Sequence, residues 1–112
     1  MRLICTLLLF SGRPNPEWTV EDESVKQAIM ERIRLLPARS DTPEQPSKLG
    51  YQGCRLQTDD QYWSVREGIV RQESPGQPRG FSDPDRQLEK MLLQTAPSAY
   101  SALAYSLLSS EF

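Results

Sequence analysis

The sequence predicts an α+β fold: a small mixed parallel and antiparallel sheet in the order β-α-β-β-(β)-α-(α), with helices packed against it. Three observations carry this expectation. Leu3 to Phe10 is an apolar run that stops at Ser11-Gly12. Val25, Ala28, Ile29, Ile33 and Leu36 then recur at helical spacing. Tyr62 to Gln72 is rich in aromatic and β-branched residues and is broken by Glu67-Gly68.

The first run shows no alternation, as in a strand covered on both faces. Behind Met1-Arg2 it imitates a short signal peptide, but no small-x-small cleavage site follows, so it reads as a buried strand. Thr19 is a plausible cap for the first helix, Glu21, Asp22 and Glu23 suit its positive end, and Pro37 stops it. Residues 38–48 contain Pro43 and Pro46 and read as an irregular crossover. Leu49 to Gln57 forms a second strand and Asp59-Asp60 a turn. Tyr62 to Arg66 forms a third strand, and Glu67-Gly68 either bulges it or turns the chain into a short fourth, Ile69 to Gln72. Residues 73–82 carry Pro75, Gly76, Pro78 and Gly80 and read as a second irregular segment. Asp83 then caps a helix with Pro84 at its first turn, and Leu88, Met91 and Leu92 continue it to Pro97. Tyr100, Leu103 and Leu107 hint at a last helix. Two strands joined by a crossover helix are expected to run parallel.

The 112 residues suit a single domain spanning 1–112. Leu, Ile, Val and Phe supply only about 22% of them, so almost every apolar stretch is needed for the core. A net charge of -2, with basic residues dispersed, speaks against nucleic-acid binding and membrane-surface binding. Cys5 and Cys54 form neither a disulfide framework nor a metal knuckle. They read as core thiols of a soluble, cytoplasmic protein, with a disulfide as the alternative. There is no histidine, which removes the commonest general base and zinc ligand. No cofactor, metal or catalytic constellation is expected.

One segment stands out as a candidate site. Ser11-Gly12-Arg13-Pro14-Asn15-Pro16 would lie at the carboxyl edge of a parallel sheet, where ligands commonly bind. Gly12, Pro14 and Pro16 would shape the loop, while Ser11, Arg13 and Asn15 would address a ligand or partner. The competing role is a purely structural connection, with Arg13 paired to Glu17 or to a carboxylate at positions 21–23. Trp18, Tyr51 and Tyr62 are candidate aromatic anchors, and Arg66 interrupts a candidate sheet edge. The expected function is a noncatalytic accessory or adaptor protein that binds another protein or a second copy of itself. The alternative is a small ligand-binding domain or enzyme using the Ser11–Pro16 loop, with Asp22 or Glu23 as acid or base.

Overall fold

The structure, a computed structural model, describes residues 2–9, 14–40, 51–74 and 77–111. Among the described residues the sheet has six strands, β1 (Ile4–Leu7), β2 (Glu17–Thr19), β3 (Cys54–Gln57), β4 (Tyr62–Arg66), β5 (Ile69–Ser74) and β6 (Arg79–Ser82), in the order β2-β1-β3-β4-β5-β6. Every pairing is antiparallel, which overturns the expected mixed sheet. The cause is a matter of parity. The chain returns as β2 before entering helix α1 (Glu23–Arg34), and this one extra reversal brings β3 up against β1 in the opposite direction. Two further expectations fall with it. Thr19 belongs to β2 rather than to a helix cap, and residues 79–82 of the expected irregular segment form β6.

Cross-strand register sorts the side chains onto two faces. One face carries two rows, Trp18–Cys5–Leu56–Trp63–Gln72 and Leu7–Cys54–Val65–Val70–Phe81. The helices supply the other half of this core through Ile29, Leu88, Leu92 and Leu93. The opposite face carries the row Glu17–Thr6–Arg55–Ser64–Arg71–Gly80.

Both edges are guarded. The β2 edge is three residues long and preceded by Pro14 and Pro16, which suits an unpaired edge. At the β6 edge Ala38 bridges to Phe81, Arg39 N–H donates to the Gly80 carbonyl at 2.8 Å, and Ser82 N–H donates to the Pro37 carbonyl at 2.8 Å. The expected edge at Tyr62 to Gln72 is instead interior, since β4 and β5 each have a neighbour on both sides.

Asp22, not Thr19, starts α1. Its Oδ1 accepts from Ser24 N–H at 2.9 Å, Val25 N–H at 3.2 Å and the Ser24 hydroxyl at 2.6 Å. These donors, the Ser24 hydroxyl foremost, hold its carboxyl below the ordinary 3.8. A lowered folded-state pKa gives a contribution present above the unfolded value and lost as pH falls through the folded one. Asp22→Ala is therefore expected to be less stable than the native chain at neutral pH, with the gap closing in strong acid. Urea midpoints measured across the acid range check this, and a gap independent of pH would refute it.

Helix α2 (Gln87–Gln94) begins less regularly. Asp85 and Arg86 have φ of 56° and 55°, so a 3₁₀ turn at Pro84–Arg86 swings into α2 through two left-handed residues. Asp83 spans this kink: Oδ1 accepts from Leu88 N–H at 2.8 Å and Oδ2 from Glu89 N–H at 3.1 Å. At the far end the Trp18 indole donates to the Thr95 hydroxyl at 2.8 Å and packs on Tyr100, ring centres 6.0 Å apart. Helix α3 (Ser101–Glu111) follows and packs on α2, settling the conformation of most of the tail. No helix among the described residues is long and apolar enough to cross a membrane.

Candidate functional site

Among the described residues, those singled out in the sequence do not converge. Ser11, Gly12 and Arg13 lie outside the described residues. Asn15 closes the β1–β2 connection, its Oδ1 accepting from Leu9 N–H at 3.0 Å, and the Pro16 carbonyl accepts from Leu7 N–H at 2.9 Å. Pro14 is exposed. Trp18 is buried on the helix-covered face, whereas Tyr62 and Arg66 are half-buried on the opposite one. Ser11 to Pro16 also no longer marks the carboxyl edge of a parallel sheet, because the sheet has no parallel pair.

Two other arrangements bring chemistry together. The first is a groove of about 480 Å³ between α1, α2 and the end of β2. Val25 on α1 and Met91 on α2, both half-buried, flank it, over a floor of buried Ile29 and Val20. Ala28 keeps the groove open, since a larger side chain there would fill it. Glu21 and Asp22, both exposed, stand at the rim. The volume falls within the range of pockets that hold a side chain or a small ligand. Sequence reading missed this groove because Ala28 and Met91 are brought together only by packing of α1 against α2.

The second arrangement is on the face of the sheet opposite the described helices. Arg55 on β3 and Arg71 on β5 flank Ser64 in one cross-strand row. The Arg55 guanidinium lies over the Tyr62 ring, 5.0 Å from its centre, and its Nε is buried without a hydrogen-bond acceptor. Arg71 has a carboxylate at hand, with Nε 2.7 Å from Glu73 Oε1, although the N–H does not point along that line. Arg66 lies 3.8 Å from Glu67. The alternation of Arg55 and Gln57 with the buried Cys54 and Leu56 was the one signal in the sequence for Arg55 on this face.

A third cluster is closed and structural. Glu89 is fully buried; its Oε2 accepts from the Tyr51 hydroxyl at 2.5 Å and Arg86 Nη2 at 3.0 Å, and its Oε1 from Glu67 N–H at 3.0 Å and Arg86 Nε at 3.1 Å. Burial above all pushes the Tyr51 phenol up, so it stays protonated and donates. Tyr51 Oη also sits 3.9 Å from Cys54 Sγ. Cys5 and Cys54 are free, buried thiols. A hydrogen bond with Cys5, and then burial, hold the Cys54 thiol well above its usual range. A thiol so placed is a poor nucleophile.

No protein-family model, curated protein or solved structure matches this chain.

Proposed function

We propose that this chain is a noncatalytic binding domain that takes a segment of another protein in the groove between α1 and α2. The observation that supports it is the make-up of that groove: apolar walls from Val25 and Met91 over a buried floor, beneath a rim of exposed carboxylates. Apolar walls favour a buried aliphatic or aromatic anchor, and methionine adapts its shape to what it meets. Glu21 at the rim favours a partner with a basic residue beside that anchor. The recognition mode is that of an amphipathic segment laid in a groove, with side-chain anchors supplying most of the affinity.

A photo-crosslinking residue placed at Ala28 is expected to capture a discrete partner from an extract of the source cells, while the same residue at exposed Gln57 does not. Ala28→Trp should fill the groove, leave the urea midpoint within about 0.5 kcal/mol of native and abolish capture by a crosslinker at neighbouring Gln94. Adducts that form equally at Gln57, or survive Ala28→Trp, would remove the groove as the binding site.

A further inference from the structure

The groove leaves the other side of the molecule unexplained. The face of the sheet opposite the described helices carries three arginines, Arg55, Arg66 and Arg71, on three successive strands. We propose that this face holds a phosphate group at Arg55, a second binding site independent of the groove.

The argument begins with Arg55 itself. Stacked on Tyr62, its guanidinium is held in place before any ligand arrives, which reduces the ordering cost of binding. Its Nε is already desolvated and lacks an acceptor, and the strand beneath it is rigid. Its outer Nη donors are the part free to meet an anion, because Nε is closed off beneath the surface. Arg71 lies two strands away in the same row, at a spacing of roughly 9–10 Å between strands, so both side chains can reach a group seated over Ser64. The Ser64 hydroxyl is a further donor at the centre of that row.

The number of acceptors decides between a carboxylate and a phosphate. Glu73 already stands beside Arg71 and Glu67 near Arg66, so an incoming anion must gain enough hydrogen bonds to offset those carboxylates. A phosphate presents several acceptor oxygens, enough for Arg55, the Ser64 hydroxyl and Arg71 at once, where a carboxylate has only two oxygens to divide among them. The basic residues on this face are too few, and too closely accompanied by carboxylates, for a nucleic-acid backbone; a single phosphate group fits them.

Two-dimensional amide and guanidinium NMR of the full chain, titrated separately with inorganic phosphate, glycerol phosphate and acetate at constant ionic strength, tests this. Saturable shifts are expected at Arg55, Ser64 and Arg71 with either phosphate compound, and not with acetate. Shifts with the ester alone would mark the natural ligand as a phosphate ester, and shifts with both would admit free phosphate. Arg55→Gln should weaken binding by about tenfold or more. Arg55→Lys, which keeps the charge but loses the fork, should weaken it by about threefold and serves as the test if Arg55→Gln fails to fold. Equal shifts with acetate, no saturable shift, or binding unaltered by both variants would each overturn the proposal.

Discussion

Gly53→Ala is expected to cost the chain about 4 kcal/mol or more, enough to unfold a domain of ordinary stability. Gly53 leads into β3, with its carbonyl accepting from Leu8 N–H at 3.0 Å and its own φ at +90°. A Cβ there would lie 2.0 Å from the Val65 carbonyl oxygen and 2.9 Å from Arg66 Cβ. The first of these neighbours is backbone in the middle of the sheet, so relief would require β4 to move away from β3. Gly68→Ala provides the control. Its φ of +84° is just as foreign to alanine, but the nearest atom to a new Cβ is the Asp83 carbonyl oxygen at 3.6 Å. That variant should lose only the conformational share, about 1–2 kcal/mol. Urea unfolding of both variants separates steric exclusion from backbone preference. If Gly53→Ala lost no more than Gly68→Ala, the close approach of β3 and β4 described here would be wrong.

The same two glycines show what could and could not be read in the sequence. Gly68 was partly legible: Glu67-Gly68 between two strand-like runs read as either a bulge or a turn, and it makes the two-residue turn that pairs Arg66 with Ile69. The requirement at Gly53 was not, because it arises from the proximity of Val65, which belongs to another strand. β2 was invisible for a related reason. Three residues with a single inward side chain, Trp18, leave no alternation to detect, and the prolines before them read as a loop. That short omission reversed the predicted direction of β3. The helices were easier because their signals are local. Leu88, Met91 and Leu92 fix one face of α2, and Asp83 does cap it, although from five residues away. Both proposed binding surfaces depend on neighbours distant in sequence, Ala28 with Met91 and Arg55 with Arg71. Tyr62 and Arg66 could be singled out in sequence, but the row of arginines on their face could not.

Glu89→Gln is expected to destabilise the fold by about 3–5 kcal/mol, the usual result of removing one member of a buried ion pair. The amide nearly matches the carboxylate in size, so the loss is electrostatic and directional rather than one of volume. In the native chain the carboxylate's two oxygens receive four donors, two from Arg86, one from Tyr51 and one from the Glu67 backbone. A glutamine must turn its NH₂ toward some of those donors, and it removes the negative charge that faces Arg86. Arg86→Ala should cost at least as much, about 3–5 kcal/mol, because it strands the fully buried Glu89 carboxylate with the Tyr51 hydroxyl and the Glu67 N–H as its remaining donors. The comparison turns on which charge is left behind: Glu89 is fully enclosed, whereas the Arg86 side chain is 24% exposed and water can reach it. A second measurement tests the network's reach. Glu67 has φ of 47° in the β4–β5 turn, a conformation unfavourable for glutamate, and its N–H is anchored by Glu89. Amide exchange at Glu67 should therefore accelerate in Glu89→Gln beyond the change seen at Val65, a core residue of the adjoining strand. Equal acceleration at both sites would mean that Glu89 stabilises the fold as a whole without specifically holding that turn. A denaturation midpoint within about 1 kcal/mol of native would show that the buried carboxylate is dispensable.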